Sequence, residues 1–551
     1  MKEIMTPWKR LVSLLELDKR DIKQIFYYAI FAGLVALTLP LGIQAIINLI
    51  QGAQISSSWI VLVVLVTMGV AFQGALQIMQ IRVMENLQQK IFTRSSFEFT
   101  YRFPKIKSSE FHHYYPPELA NRFFDTLTVQ KGLSKILIGV PTAFLQIIFG
   151  LMLLSFYHPF FIIYGFLLLF LIYIVFKFTA QKGLDTSLKE SKIKYKVAHW
   201  IQEVARSVVS FKLSGKTNLA MSRNDKLTTE YLKARENHFK VLILQYVQMI
   251  GFKILVTAGL LIIGGLLVLN QQMNIGQFVA AEIIILLVIG SVEKLITGLE
   301  TFYDVLTSLE KIGQVVDKEI EPQSGVDPFE TDRDLVIEVE NLGYATEENQ
   351  QVLSNVSFKI ESQDRILLNG ASGSGKTTLL KLLSGLISPS SGTLYINDTS
   401  MSGIWPNKYR SKIGQVLPEQ HPFEGTILEN ITFGNQSIPR KRLNEVLKDL
   451  GLLPFVKQQP KGLDTMLYPE GQRIPYTVTR RIVLAREIIN EPKLLLLKDP
   501  LEHFELEETE QIIKYLTDKS RPWALIVASK NELWKRNCDR TVGLYGGTLK
   551  N

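Results

Sequence analysis

The chain has 551 residues, 47% hydrophobic and 21% charged, with a formal net charge of +9. That length allows two or more domains with sizeable cores, and a positive mean hydropathy beside so many charges implies separate membrane and soluble parts. The single cysteine, Cys538, excludes an internal disulfide and a cysteine-built zinc cluster; it reads as a free buried thiol.

Residues 1–24 mix charge with Trp8, Lys9, Arg10, Lys19 and Arg20 before any apolar run. This is not a cleavable signal pattern, and the segment reads as an amphipathic helix on the inner membrane face. Six apolar runs of about 20 residues follow, the length that a bilayer core of roughly 30 Å demands. They cover approximately 25–50, 59–81, 136–157, 160–180, 242–269 and 278–299. Pro40 and Pro141 fall inside the first and third runs, where neighbouring helices of a bundle accommodate them.

The short connections 51–58, 157–159 and 270–274 contain no Lys or Arg, whereas 82–135 and 177–240 are rich in both. The positive-inside rule places the two long segments and both termini in the cytoplasm. The basic balance is therefore a topology signal, and no nucleic-acid partner is expected. Each long segment is charged and helix-forming, and reads as a hairpin reaching roughly 35 to 40 Å beyond the membrane. Lys253 and Glu293 lie at matched depth on spans joined by a tight outer turn, so they are expected to pair. Glu282 lies 11 residues before Glu293, which puts both carboxylates on nearly the same helix side. An acidic stripe for a cationic substrate and a hydrogen bond to a neighbouring helix are both open for it.

Residues 317–334 turn acidic and polar, with Pro322, Gly325 and Pro328 as breakers, and read as a linker. A cytoplasmic domain over 335–551 begins with strands expected at 336–339, 352–360 and 365–369. The last leads into Gly370-Ala-Ser372-Gly373-Ser374-Gly375-Lys376-Thr377-Thr378, a phosphate-binding loop in strand-loop-helix context. The glycines let backbone N–H groups wrap phosphates, the helix start adds positive potential, Lys376 reaches the terminal phosphates, and the Thr377 hydroxyl suits magnesium.

Six spans, two long cytoplasmic hairpins and a C-terminal phosphate-loop domain resemble the half-transporters of the ABC exporter family (type IV fold) over essentially the whole chain. Phe103-Pro104, Glu118-Leu-Ala-Asn-Arg122 and Asn274-Ile-Gly-Gln-Phe278 are similar to bacterial type I secretion and bacteriocin exporters. The implied fold is an α-helical six-span transmembrane domain (25–316) plus an α/β P-loop NTPase (ABC ATPase) domain. The resemblance further implies ATP and Mg2+ as cofactors, a homodimer or heterodimer with another half-transporter, a membrane-fusion protein as accessory partner, and location in the bacterial inner membrane. No peptidase-like segment precedes the first run, so leader cleavage is not expected.

In the same register Tyr344 matches the family's adenine-stacking aromatic, with a half-buried surface tyrosine as its plain alternative. Gly425-Thr426-Ile427-Leu-Glu-Asn430-Ile431 and Gly462-Leu-Asp-Thr465 fix the alignment without gaps. Against that pattern, the magnesium-sensing glutamine falls at Pro418, with Gln420 as a displaced substitute. The signature Leu-Ser-Gly-Gly-Gln reads Ile474-Pro475-Tyr476-Thr477-Val478. Lys498 stands at the magnesium-orienting aspartate and Asp499, the remaining catalytic candidate, at the catalytic glutamate. Lys530 replaces the switch histidine, and Glu502-His503-Phe504-Glu505 replaces Ser-Ala-Leu-Asp. The Lys498 ammonium either neutralises phosphate charge and disfavours the metal ion or pairs with Asp499 or Glu502. Two functions stay open: an exporter subunit for a peptide, protein or amphipathic substrate with weak or absent hydrolysis, or a nucleotide-binding pseudo-ATPase that acts as a membrane scaffold or gate.

Overall fold

The structure is a computed structural model that describes residues 5–51, 57–112, 114–330 and 333–550. Parts of the expected outer connection 51–58 and of the expected linker 317–334 lie outside the described residues. The chain divides into two compact units: Met1–Lys105 with Phe111–Lys318, and Ile106–Glu110 with Glu319–Asn551.

Among the described residues the first unit is helical. Its elements are α1 (Pro7–Leu17), α2 (Lys19–Ala36), α3 (Thr38–Gln51), α4 (Ser57–Arg102), α5 (Pro116–Ala120), α6 (Asp125–Ser155), α7 (Phe160–Arg206), α8 (Val208–Leu213), α9 (Leu219–Leu269) and α10 (Ile275–Val316). Among the described residues six stretches are long and apolar enough to cross a membrane; five contain an expected run whole, and the third, Pro116–Ser155, ends two residues short of the expected 136–157. The 46 to 51 residues of α4, α7 and α9 correspond to about 70 Å of helix, more than twice the bilayer core.

The N-terminal segment is not one helix. Thr6 caps α1, its Oγ1 accepting the Lys9 N–H at 3.3 Å, and Pro7 sits in the first turn, where its missing N–H costs nothing. A turn at Asp18 ends α1, and the Asp18 carboxylate accepts both Arg94 guanidinium N–H groups at 3.0 and 3.1 Å. Arg10 pairs with Asp317 and lies 3.9 Å from Glu310, while the Trp8 ring meets Phe302 at 5.6 Å. These contacts fix α1 against α10.

The first span is interrupted at Leu37, between α2 and α3. Pro40 has no N–H to offer the carbonyl four residues back, and its ring crowds that carbonyl. Neighbouring carbonyls at the break are met locally, Val35 by the Thr38 hydroxyl at 2.7 Å and Leu34 by the Leu37 N–H at 3.2 Å. Pro141, by contrast, sits inside an unbroken α6.

The core of this unit is α10, whose Ala280, Ala281, Ile284, Ile285 and Val288 are buried. It packs closely on α6 because glycines face it. A Cβ at Gly150 would lie 2.9 Å from Val288 Cγ2, and one at Gly132 would lie 2.4 Å from Val305 Cγ2; small residues let membrane helices approach this way. Outward, Met68, Ile163, Phe166, Ile262 and Leu269 are exposed, a surface suited to lipid rather than water. Lys253 Nζ lies 3.7 Å from Glu293 Oε2, the expected pair. Glu282 is half-buried.

The second unit is α/β. Its first half contains β1 (Val336–Ala345), β2 (Gln351–Glu361), β3 (Arg365–Asn369), α11 (Lys376–Leu383), β4 (Ser391–Ile396), β5 (Thr399–Ser400), α12 (Pro406–Arg410) and β6 (Ile413–Val416). Its second half contains β7 (Gly425–Thr426), α13 (Ile427–Thr432), α14 (Arg440–Asp449), α15 (Leu453–Gln458), β8 (Met466–Leu467), α16 (Tyr476–Ile488), β9 (Leu494–Lys498), α17 (Leu506–Thr517), β10 (Ala524–Ala528), α18 (Glu532–Asn537), β11 (Arg540–Tyr545) and β12 (Thr548–Lys550).

An antiparallel sheet has the order β2-β1-β4-β5, and a six-stranded sheet the order β12-β11-β3-β10-β9-β6. From β11 to β6 neighbouring strands of the larger sheet are parallel. A parallel strand covered on both faces must be apolar throughout, and Leu494, Leu495, Leu496 and Leu497 are all fully buried. The strand expected at 365–369 coincides with β3. The one expected at 336–339 continues to Ala345, because bulges carry β1 past Asn341, whose φ is 48°. Ile106 bridges Ile320 in antiparallel fashion, and Lys107 Nζ lies 2.6 Å from Glu319, so this unit draws on chain from two places. Cys538 is half-buried, and burial pushes its thiol up to about 12.

Candidate functional site

In a parallel sheet, ligands gather beyond the carboxyl ends of the strands. Here β3, β9 and β10 end at one level, since Lys498 is in register with Ala528 and Ala528 with Leu368. A cavity of ≈ 630 Å³ opens there, lined by Ser372 to Thr378 on one side and by Lys498, Asp499, Glu502 and Lys530 on the other.

Two glycines of the loop are sterically required. Gly370 has φ 153°, and a Cβ there would lie 2.3 Å from the Leu544 carbonyl oxygen. Gly375 caps α11 in the left-handed region at φ 96°, and its Cβ would lie 2.6 Å from Leu353 Cδ2. Lys376 opens α11 and is buried. Its ammonium donates to the carbonyls of Gly370 at 2.7 Å and Ala371 at 2.6 Å, and to Ser374 Oγ at 3.2 Å. Burial lowers the Lys376 pKa below the ordinary lysine value; nearby Lys498 and Lys530 act in the same direction and Asp499 against it.

The second wall is charged differently. Lys498 Nζ is bonded to the Asp499 carboxylate, so of the partners left open by the sequence the structure shows Asp499. Asp499 takes a left-handed backbone at φ 42°, and its N–H donates to the Ala528 carbonyl at 2.9 Å. Its carboxylate is turned to Lys498, and a base must reach the proton it removes.

The remaining sequence-derived residues fall into place around this cavity. Ser372, Gly373, Ser374, Gly375, Lys376, Thr377, Thr378 and Asp499 line it; Gly370 and Tyr344 are not among the described lining residues. Gly370 instead holds Lys376 through its carbonyl. Tyr344 lies on β1 opposite Leu353, the side chain that touches Gly375. Gln420 is spent locally, its Oε1 accepting the Leu417 N–H at 2.6 Å. Tyr476 begins α16 behind Pro475, which makes no side-chain cap, and its ring meets His503 at 5.7 Å. Asn531 and Trp534 also line the cavity and were not anticipated. The available signal was the Asn531 cap of α18, whose side chain accepts the Leu533 N–H at 2.9 Å.

A phosphate chain fits the first wall: glycine amides, the start of α11 and a lysine converge on it. Magnesium fits the second poorly. In phosphate-loop enzymes the ion is held by the loop Ser/Thr and by an aspartate at a strand end; here Thr377 is present, but the strand end carries Lys498.

Residues 24–292 match the family profile of the ABC transporter transmembrane region, and residues 353–502 match that of the ABC transporter. The chain belongs to the ABC transporter family. It is a multi-pass membrane protein that joins an ABC transporter transmembrane region to an ABC transporter ATP-binding domain. The α-hemolysin translocation ATP-binding protein HlyB of Escherichia coli O157:H7 is 26% identical over 306 residues, 55% of this chain and 43% of that protein. The ATP-dependent lipid A-core flippase of Burkholderia orbicola is 30% identical over 244 residues, 44% of this chain and 41% of that protein. The chain spans about half the length of the curated relatives it matches. A solved ATP-bound bacterial Atm1-family ABC exporter shares the fold, with a TM-score of 0.85, 15% identity and coverage of 97% of this chain and 94% of that one.

Proposed function

We propose that this ABC transporter chain is one half of a dimeric exporter in the bacterial inner membrane, that it binds ATP at residues 370–378, and that it hydrolyses ATP weakly or not at all. The Lys498–Asp499 pair carries the energetic part of this reading. It puts an ammonium at the strand end facing the phosphate loop and engages the carboxylate best placed to serve as base. Hydrolysis needs a water aligned by a carboxylate and charge stabilisation at the terminal phosphate, and Tyr476 at the start of α16 supports the same conclusion. In a head-to-tail dimer that helix start would face the partner's phosphate loop, so both composite sites suffer.

The domain limits belong to this reading: an amphipathic segment over 1–24, a transmembrane domain over 25–316, a linker over 317–334 and a nucleotide-binding domain over 335–551, with both termini cytoplasmic. Tyr344 stacks on adenine, being across the β1–β2 ladder from the residue that touches Gly375. The cargo class is a peptide, protein or amphipathic molecule; relatives named for translocation of α-hemolysin and for lipid A-core flipping support that breadth. A membrane-fusion protein is the accessory partner that the hemolysin relative suggests.

A second reading is a pseudo-ATPase that gates or scaffolds a membrane complex, since nucleotide binding alone shifts an equilibrium once through differential affinity for two states. Phosphate release from the full-length chain in lipid, alone and with candidate partner half-transporters, tests the proposal. Turnover comparable to ordinary ABC exporters would overturn it; release at background, with retained nucleotide binding, supports it.

A further inference from the structure

The nucleotide site proposed above has one wall built for phosphate and one that departs from a metal-binding design. We infer that this site takes a nucleoside triphosphate without a divalent cation, the Lys498 ammonium standing where the metal ion would bridge phosphate oxygens. The inference rests on the ATP-binding reading and specifies the ionic form of its ligand.

Three observations carry it. The strand register puts Lys498 level with Leu368, two residues before Gly370, so its side chain rises beside the phosphate loop and lines the same cavity as Thr377. Lys498 and Lys530 both act electrostatically on Lys376, so three ammonium groups converge on one cavity. The carboxylate beside it is already engaged: Asp499 is bonded to Lys498.

Magnesium requires near-octahedral oxygen ligands and is reluctant to dehydrate. Placed beside an ammonium it meets repulsion, and the strand end offers it Lys498 in place of an oxygen ligand. A lysine ammonium offers three donors on a flexible stem, enough to bridge two phosphate oxygens. A metal-free triphosphate carries the larger negative charge and is the form that a cluster of cations prefers. In this arrangement Thr377 donates its hydroxyl to a phosphate oxygen, and Asp499 shares the Lys498 ammonium with the phosphates.

The test is equilibrium binding of a fluorescent ATP analogue to the full-length chain in lipid nanodiscs, with excess Mg2+ and with excess EDTA, while phosphate release is followed in the same samples. The expected result is an affinity that changes by less than about threefold on chelation. Two variants sharpen it. Lys498→Asp should make binding metal-dependent, weakening at least about tenfold in EDTA, and Lys498→Met should lower metal-free affinity about tenfold. Native binding at least about tenfold weaker in EDTA overturns the inference while leaving the ATP-binding reading intact. Binding in neither buffer overturns both. Turnover at exporter rates with Mg2+ overturns the weak-hydrolysis proposal, and metal-dependent binding without turnover overturns this inference alone.

Discussion

The loop 370–378 and the strand ends that face it across the cavity satisfy their charges in opposite ways. On the loop, Lys376 is held by backbone carbonyls of the loop itself, and Gly370 and Gly375 sit where a side chain would collide. At the strand ends, Lys498 is held by the neighbouring Asp499. A phosphate cradle depends on backbone shape, which a few glycines secure, whereas hydrolytic chemistry depends on single side chains that can change without disturbing the fold. On the proposed reading, this contrast explains how one wall retains a family pattern while the other departs from it.

The largest expected effect comes from the first wall. Lys376→Ala should weaken nucleotide binding roughly a hundredfold, about 3 kcal/mol, with circular dichroism unchanged; preserved affinity would mean that the loop is not the anchor. Next is backbone shape itself. Gly375→Ala forces a side chain into the left-handed region, and its Cβ would meet Leu353, so the full-length chain should lose about 1–2 kcal/mol, read as a drop of several degrees in melting midpoint.

A comparable effect should come from Glu487, on α16 against β6. Its Oε2 accepts the Gln415 N–H at 3.0 Å, yet burial pushes its pKa from 4.5 up to about 7. A carboxyl raised in the folded state binds more protons there than in the unfolded chain. Its contribution is therefore fully present below about pH 4.5 and is lost as pH rises through about 7. Glu487→Gln should raise stability by about 1–2 kcal/mol at pH 8, given that the residue is only half-buried, and change little at pH 5. Equal midpoint shifts at both pH values would refute the assignment.

The smallest effect tests whether the second wall can be repaired one residue at a time. Asp499→Glu should leave phosphate release within about threefold of the native rate, because catalytic groups act as a unit. A large gain from this single change would show that the wall is nearly competent.

The sequence made the apolar spans legible because a bilayer imposes length and composition together, and made the phosphate loop legible because its glycines have no substitute. It left the partner of Lys498 open, since two carboxylates lie within reach along the chain and only the left-handed turn at Asp499 shows which is used. The interruption at Leu37 went unread because a proline can also be absorbed, as Pro141 is in α6. The continuation of β1 past Asn341 was hidden for a related reason: the breaker residues mark a bulge, not an end. Pairing Tyr344 with Leu353 needed the β1–β2 register, which depends on that bulge.

The bridge between Ile106 and Ile320 has a practical corollary. A truncated polypeptide starting at 335 would leave out both members of this short pairing and the Lys107–Glu319 contact beside it. Measurements on such a fragment would report on a lobe missing part of its own border, so severing the chain at its apparent seam is the wrong way to isolate the nucleotide-handling half.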